Sequence, residues 1–184
     1  MSTRTIVHLM RHGEVHNPAG VLYGRIKGYN LSELGHEMAA TVAESLKSND
    51  ITHLVASPLE RAQQTAQPIS DILNLDITTD ERVIEAGNKF EGLTVGVGDG
   101  ALSNPRYWPW LWNPLKPSHQ LPVWTARRSY ERARFAHDPR KRQCSLASLT
   151  TLTFEDDEFR GLVYSEPAGH LIPESLRKKF IGGA

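Results

Sequence analysis

The sequence predicts an α/β domain with a largely parallel sheet, and three observations support this prediction. Short apolar runs at 5–10 and 51–56 indicate strands. A stripe of apolar residues with helical spacing follows the first run, and a helix start follows the second. Strands that alternate with helices in this way are typical of parallel sheets. The chain of 184 residues has the length of one domain, which we expect to extend over residues 1–184.

The first strand and the first helix are predicted from different patterns. Residues 5–10 are mostly apolar and lead directly into the polar turn Arg11-His12-Gly13. Ser32 is the predicted N-cap of the following helix. Beyond it an apolar residue recurs at every fourth position, as in an amphipathic helix: Leu34, Met38, Val42 and Leu46. Because ligands of open α/β sheets bind at the carboxyl ends of strands, the Arg-His-Gly turn is a candidate functional site.

The second strand, at 51–56, leads into a second predicted helix. Ser57 supplies a serine cap, Pro58 a proline at the first helical position and Glu60 a glutamate at the third, which together form a capping box. We therefore predict that this helix begins at Ser57. A short third strand is predicted at 77–79.

The rest of the chain is predicted to contain a long loop and a final pair of strands. Glycines and prolines interrupt residues 87–117, which indicates a loop with an aromatic cluster at 107–112. We interpret this cluster as core or interface packing, with a lid over a substrate as the alternative. The final strands are predicted at 148–154 and 160–164, joined by the acidic residues Glu155-Asp156-Asp157-Glu158.

Composition argues against several classes of function. Lys plus Arg and Asp plus Glu number 21 each, so the net charge is zero and we expect no nucleic-acid partner. Basic residues cluster at 127–142, partly on a predicted helix at 123–135, and we interpret them as a solvated face that attracts anionic substrates. No apolar run approaches the roughly 18 residues of a membrane span. With one cysteine, Cys144, and no signal peptide predicted, we expect a cytoplasmic protein.

Four motifs occur in order over residues 5–92. The first is the Arg11-His12-Gly13 turn after the strand. The second extends from Tyr23-Gly24-Arg25 to Leu31-Ser32-Glu33-Leu34-Gly35, and the third is the segment 57–66, which contains Arg61. The fourth comprises Arg82-Val83-Ile84-Glu85 and Phe90-Glu91-Gly92. Together they resemble the histidine phosphatase superfamily, the phosphoglycerate mutase-like proteins. The resemblance implies a three-layer αβα sandwich with a mostly parallel central sheet, and a small phosphate ester as substrate without a cofactor.

The resemblance also implies roles for individual residues. His12 would be the nucleophile that forms a phosphohistidine, and Arg11 and Arg61 would clamp the phosphoryl oxygens. Glu85 would protonate the leaving oxygen and then deprotonate the attacking water. These side chains suit that chemistry, because a neutral imidazole is available near pH 7 and guanidinium groups bind phosphoryl oxygens. We expect three further residues to contact the substrate: Asn17, Gly24 and Arg25.

Each of these residues also has an ordinary structural interpretation. Without the other motifs, His12 would be expected only to bond the backbone beside a strand. Glu85 is able to pair with Arg82 in a surface contact. His8 lies on the same strand face as His12, yet no Cys, Asp or Glu nearby completes a metal-binding set. We therefore expect no metal site.

One motif departs from the family pattern. The family places a second histidine, in Ser-His-Gly, directly after a buried strand, where it helps to hold the transferred phosphoryl group. The nearest match here is Ser118-His119-Gln120, and the prolines in 112–117 prevent the preceding segment from forming such a strand. This predicts that a helix and a sheet strand are missing between Pro117 and His119. We carry His119 over as a catalytic residue, in a sheet that is one strand short.

Three functions stay open on the sequence alone. The leading one is a metal-independent phosphomonoester hydrolase that acts through a phosphohistidine intermediate. The second is a phosphoglycerate mutase, although the short chain offers little cover over the site, and an open site favours transfer to water. The third is a non-catalytic phosphate-binding or interaction module that has lost activity with the missing segment. The sequence also leaves open whether the chain forms a homo-oligomer.

Overall fold

The computed structural model describes residues 2–85, 87, 90–94, 130, 144–174 and 176. His119 and the aromatic cluster at 107–112 lie outside the described residues. So does the basic stretch at 127–142, with its predicted helix, apart from Tyr130.

Five strands and two long helices make up the described part of the chain. In order they are β1 (Arg4–Met10), α1 (Glu33–Leu46), β2 (Leu54–Ala56), α2 (Glu60–Leu73), β3 (Ile77–Thr79), β4 (Leu149–Glu155) and β5 (Glu158–Ser165). Short 3-10 turns lie at Glu81–Val83 and Gly169–Leu171. The predicted α/β class is confirmed. Neither of these two helices is long and apolar enough to cross a membrane.

The strands pair in two different ways. β1, β4 and β5 form an antiparallel sheet in which Met10 is opposite Leu149, whereas β2 and β3 form a parallel pair. The described part is therefore mixed, and not largely parallel as the sequence predicts. The connections explain the difference. Asp156 and Asp157 join β4 to β5 in a two-residue turn that fits only antiparallel strands, whereas α2 provides the crossover that the parallel pair needs. Both aspartates have a left-handed backbone conformation, with φ of 49° and 64°, as such turns require.

Helix α1 begins where the sequence predicts. The Ser32 hydroxyl accepts a hydrogen bond from the Gly35 N–H at 3.0 Å, which makes Ser32 the N-cap. The same hydroxyl donates to the Glu14 carboxylate and so ties the helix start to the loop after β1. The apolar stripe packs against α2 in the main core, through Met38, Val42, Leu46 and Ile69.

Helix α2 begins at Glu60, so the prediction of a start at Ser57 is wrong. Leu59 is the N-cap, and no side chain caps the helix. The Ser57 hydroxyl instead accepts from the Leu59 N–H at 3.3 Å, which closes a turn before the helix. Leu59 has an extended backbone, with φ −76° and ψ 138°, and its side chain is buried. We attribute the shift of two residues, from Ser57 to Leu59 as the N-cap, to this burial, which outweighs the local capping pattern.

Two glycines bring the loop after β1 into contact with the start of α1. A Cβ atom on Gly13 would lie 2.5 Å from the Gly35 carbonyl oxygen. A Cβ atom on Gly35 would overlap the Glu14 carbonyl group. The Arg-His-Gly turn therefore rests directly on the first turn of α1, where neither position has room for a side chain.

Candidate functional site

Arg11 and His12 follow β1, and a turn at 144–148 holds both of them. The Arg11 N–H donates to the Ser148 carbonyl at 3.1 Å, and the Ala147 N–H donates to the His12 carbonyl at 3.1 Å. The Arg11 side chain adds a third bond, from Nη1 to the Cys144 carbonyl at 2.6 Å. The predicted nucleophile and the first predicted arginine are thus fixed by a segment from the last third of the chain.

The His12 imidazole is a neutral base. Its Nδ1 lies 2.7 Å from the Gly13 carbonyl oxygen, and because a carbonyl only accepts, Nδ1 must carry the proton. Nε2 therefore holds the lone pair. Burial, and then the positive charges of Arg11 and Arg61, lowers the pKa of His12 to about 3. At neutral pH, Nε2 is an unprotonated nitrogen able to act as a nucleophile.

Arg61 lies in the first turn of α2 and is almost fully buried, with 2% of its surface exposed. Its Nη2 donates to the Gly24 carbonyl, and its guanidinium carbon lies 4.8 Å from the centre of the Tyr23 ring. Nη1 has no hydrogen-bond partner among the described residues. Burial lowers the pKa of Arg61, yet the group stays charged because the ordinary pKa of arginine exceeds 12. A buried cation with an open donor suits an anionic ligand.

One hydroxyl group connects the histidine turn to α2. The Gly13 N–H donates to the Thr65 hydroxyl at 3.2 Å, and that hydroxyl donates to the Arg61 carbonyl at 2.7 Å. Thr65 is itself buried, one helical turn beyond Arg61. The turn that carries His12 and the helix that carries Arg61 are therefore held in a fixed relation.

Tyr23 belongs to the site, although its sequence context alone predicts no role for it. Its ring stacks on Tyr29, with ring centres 5.0 Å apart, and meets the His12 ring edge-on at 6.2 Å. Burial raises the pKa of the Tyr23 hydroxyl, and the charges of Arg11, Arg61 and Glu85 also act on it. The signal in the sequence is its position directly before Gly24-Arg25 in the second motif.

The loop that carries Gly24 and Arg25 pairs with residues 90–94. Two backbone hydrogen bonds of 2.9 Å join Leu22 to this segment. The Glu91 carboxylate accepts from the Arg25 N–H, and a Cβ atom on Gly24, whose φ is 38°, would overlap that carboxylate. This packing holds the Gly24 carbonyl where Arg61 can donate to it.

Glu85 lies beside the same loop. The Arg25 Nε donates to the Glu85 backbone carbonyl at 2.6 Å. The charge of Glu85 acts on the pKa values of both Tyr23 and Arg61. Arg82, the alternative partner considered for Glu85, bonds both carboxylate oxygens of Asp80 at 2.9 and 3.0 Å. Glu85 is thus electrostatically coupled to the arginine site.

Asn17 closes its own loop. Its Nδ2 donates to the Val21 carbonyl at 2.8 Å, and its Oδ1 accepts from the Val21 N–H at 3.0 Å. One amide hydrogen and one lone pair remain for a ligand, so the contact of Asn17 with a substrate stays a prediction. The role of His119, which lies outside the described residues, also stays a prediction.

The side chain of Arg25, another predicted substrate contact, is exposed to solvent. Its contact with a substrate stays a prediction too.

The structure thus gathers one histidine and two arginines around Tyr23, with Glu85 and Gly24 alongside. This arrangement suits a tetrahedral anion with two or more negative oxygens. Within the described ranges, no three His, Cys, Asp or Glu side chains are grouped so that they could hold a metal ion.

Comparison with known proteins gives one family and a close relative. The model of the histidine phosphatase superfamily (branch 1) matches residues 7–136. The uncharacterized protein Rv0525 of Mycobacterium tuberculosis is 44% identical over 200 residues, covering 91% of this chain and 99% of that protein. The 2,3-bisphosphoglycerate-dependent phosphoglycerate mutase of Thermoplasma acidophilum is 43% identical over 83 residues, covering 45% of this chain and 42% of that protein.

The alignment with the Mycobacterium tuberculosis protein is longer than the part of this chain that it covers. Because 91% of 184 residues is about 167, about 33 of the 200 aligned positions have no counterpart in this chain. That a single segment is missing before His119 stays a prediction from the sequence.

Among solved structures, the complex of mycobacterial glucosyl-3-phosphoglycerate phosphatase with VO3 is similar in fold. The TM-score is 0.63 at 20% identity, covering 87% of this chain and 97% of that chain.

Proposed function

The chain belongs to the histidine phosphatase superfamily, and we propose that it is a metal-independent phosphomonoester hydrolase that acts through a phosphohistidine at His12. The observation that carries the proposal is a neutral His12 beside the almost fully buried Arg61, whose Nη1 has no partner in the described part of the chain. A buried donor without a partner costs roughly 1–3 kcal/mol, and more when it is charged. A bound phosphoryl group would offset that cost.

Binding of the substrate uses the two arginines. The phosphate of a monoester carries close to two negative charges near neutral pH. Arg61 donates to one phosphoryl oxygen through Nη1, while Nη2 keeps its bond to Gly24. Arg11 binds a second phosphoryl oxygen, while its Nη1 keeps its bond to the Cys144 carbonyl. These contacts orient the phosphorus toward Nε2 of His12.

The reaction proceeds in two balanced steps. In the first, the Nε2 lone pair attacks phosphorus, the bond to the ester oxygen breaks, and Glu85 gives its proton to the leaving alcohol. In the second, water attacks the phosphohistidine, Glu85 takes the proton of that water, and the P–N bond breaks to release phosphate. The Nδ1–H of His12 stays bonded to the Gly13 carbonyl throughout and fixes the tautomer. His119 is proposed to bind the phosphoryl group in both steps.

The substrate class is a small soluble phosphate ester. Two of the similar proteins have names that include a phosphoglycerate, which makes glycerate-bearing phosphate esters the first natural compounds to test. Arg25 has an exposed side chain beside Glu85 and would meet a carboxylate on such a substrate.

Phosphoglycerate mutase activity is the second candidate, supported by 43% identity to the Thermoplasma mutase over 83 residues. A mutase must return the phosphoryl group to a substrate instead of to water. A coupled assay for conversion of phosphoglycerate isomers separates the two activities.

A phosphate-binding module without turnover is the third candidate. It is supported by about 33 aligned positions of the Mycobacterium tuberculosis relative that have no counterpart in this chain. In this case the protein would bind inorganic phosphate in calorimetry and hydrolyse no ester.

The experiment that tests the hydrolase is turnover of a chromogenic phosphate ester in the presence of EDTA. Turnover should persist with the chelator and should be lost completely in His12→Ala, because the nucleophile is removed. His36→Ala is the matched control, since His36 is an exposed histidine on α1. Activity that survives in His12→Ala, or that EDTA abolishes, would contradict the mechanism.

A further inference from the structure

We propose that Tyr164, on β5, is a positioning residue for Arg11 and acts across β4 through the turn at 144–148. The inference deepens the proposed function and rests on it, because it takes Arg11 to be a ligand of the phosphoryl group. It assigns a purpose to a hydrogen-bond network that lies outside the four sequence motifs.

The Tyr164 hydroxyl is the centre of this network. It donates to Glu166 Oε1 at 2.6 Å and accepts from the Ser145 N–H at 3.0 Å. The Ser145 hydroxyl donates to the same Oε1 at 2.6 Å. Burial, and then the bond to Glu166, raises the pKa of Tyr164, so the hydroxyl keeps its proton. One carboxylate oxygen therefore anchors both hydroxyls.

Tyr164 and Arg11 bind the two ends of one peptide group. The Cys144 carbonyl and the Ser145 N–H belong to the same peptide unit, which is planar. Tyr164 accepts from its N–H end, and Arg11 Nη1 donates to its carbonyl end at 2.6 Å. Because the unit is rigid, a hydroxyl that fixes the N–H also fixes the direction of the carbonyl that holds Arg11.

The turn that contains this peptide needs outside support. Ala147 is fully buried and has a left-handed backbone conformation, with φ of 51°, which is unfavourable for a residue other than glycine. Its N–H is bonded to the His12 carbonyl. Strained residues persist where the surroundings over-determine them, and the network of Tyr164, Ser145 and Glu166 supplies part of that constraint.

Loss of the Tyr164 hydroxyl should therefore change the position of the Arg11 side chain. Without its acceptor, the Ser145 N–H is free to turn, and the Cys144 carbonyl turns with it. A misplacement of about 1 Å in a binding group is enough to weaken function by up to roughly 100-fold. For a single lost hydrogen bond we expect inorganic phosphate to bind about 10-fold more weakly.

The test compares Tyr164→Phe with the matched control Tyr130→Phe. Tyr130 also contacts the aromatic side chains of the hairpin, with its ring centre 5.2 Å from that of Phe159, but it is 40% exposed. The first measurement needs no ligand: it is the hydrogen-exchange rate of the Arg11 side-chain N–H groups by NMR. We expect about 10-fold faster exchange in Tyr164→Phe and no change in Tyr130→Phe.

The second measurement is a double-mutant cycle on the affinity for inorganic phosphate. Tyr164→Phe should weaken binding about 10-fold in the wild-type background and less than 2-fold in the Arg11→Met background, since Arg11 transmits the effect. A merely structural role would weaken binding equally in both backgrounds, and that result would overturn the proposal.

The two measurements separate the inference from the proposed function. A wild-type chain that binds no phosphate would refute the phosphatase proposal, while the Arg11 exchange rate would still decide whether Tyr164 positions the arginine. Unchanged exchange in a folded Tyr164→Phe variant, verified by its thermal midpoint, would overturn the inference.

Discussion

Arg11 and Arg61 both lower the pKa of His12, but they are held by different parts of the molecule. Arg61 is held by its near neighbours in the first half of the chain: the Gly24 carbonyl and the Tyr23 ring. Arg11 is held by the Cys144 carbonyl, 133 positions further along the chain. We call Arg61 with its contacts the Arg61 arm of the site, and Arg11 with its contacts the Arg11 arm. The Arg61 arm lies entirely within the sequence motifs, whereas the Arg11 arm forms only when the chain's last third folds back onto β1.

The two arms also differ in their effect on the free energy of unfolding. Arg61 is a buried cation with an open donor among the described residues, which is unfavourable without a ligand. Arg11 joins β1 to the turn before β4, which is a favourable link between distant segments. We therefore expect the arms to contribute alike to phosphate binding and in opposite ways to folding.

Replacement of each arginine by methionine should give the largest effect. Loss of one charge-assisted hydrogen bond to phosphate, worth about 1.5–3 kcal/mol, weakens binding of inorganic phosphate up to about 100-fold in either variant. Arg11→Met should also lower the free energy of unfolding by about 1–2 kcal/mol, because the bond to Cys144 is lost. Arg61→Met should leave it unchanged or raise it, since an apolar side chain suits a buried position. Calorimetry with phosphate and urea unfolding measure the two quantities.

Equal stability losses in the two variants would remove the distinction between the arms. The Met side chain preserves much of the packing of the arginine stem, so a loss in Arg61→Met alone would mean that the bond to Gly24 outweighs the buried charge.

The pH dependence of stability should show that His12 has a lowered pKa in the folded protein, to which the charges of Arg11 and Arg61 contribute. Its pKa is lowered to about 3 in the folded protein, from an ordinary value of 6.5 in the unfolded chain. Between these values the unfolded chain binds a proton that the folded protein does not, so folding weakens as the pH falls below 6.5. From pH 7 to pH 5 the wild type should lose about 2 kcal/mol more than His12→Asn in urea unfolding.

Arg11 contributes more than Arg61 to the lowered pKa of His12. Removal of a positive charge raises the pKa of His12 in the folded protein, so the pH below which the loss of stability levels off should rise more in Arg11→Met than in Arg61→Met. Parallel stability curves for the wild type and His12→Asn would mean that His12 is protonated in the folded protein at pH 5.

The smallest expected effect is at Tyr23. Tyr23→Leu removes the ring beside Arg61 and should weaken phosphate binding about 5-fold, or about 1 kcal/mol. Tyr23→Phe keeps the ring and should change the affinity less than 2-fold. Neither variant should alter the exchange rate of the Arg11 side chain, because Tyr23 supports only the other arm. Equal weakening in both variants would instead assign the effect to the hydroxyl.

Two elements that carry the candidate site could be predicted because their signals are local. The turn after β1 is predicted by an apolar run that stops at Arg11, and the start of α1 by the Ser32 cap, which accepts from a backbone N–H three residues away. The hydrogen bond from Arg61 to the Gly24 carbonyl joins residues 37 positions apart, and no local pattern predicts it. The start of α2 was mispredicted because the capping pattern at Ser57 carries no information on the burial of Leu59.

The sequence by itself determined the α/β class and the places where β1 ends and α1 begins. Those features depend on periodicity and capping within a few residues. The roles of His12, Arg11 and Arg61 follow instead from the resemblance of four motifs to a family, and they stay predictions. The tertiary structure decided the antiparallel pairing of β1 with β4, the place of Tyr23 beneath Arg61, and the peptide of Cys144 and Ser145 that joins Tyr164 to Arg11. These depend on contacts between residues far apart in the chain, for which no local pattern exists, because their geometry is set only when the core closes.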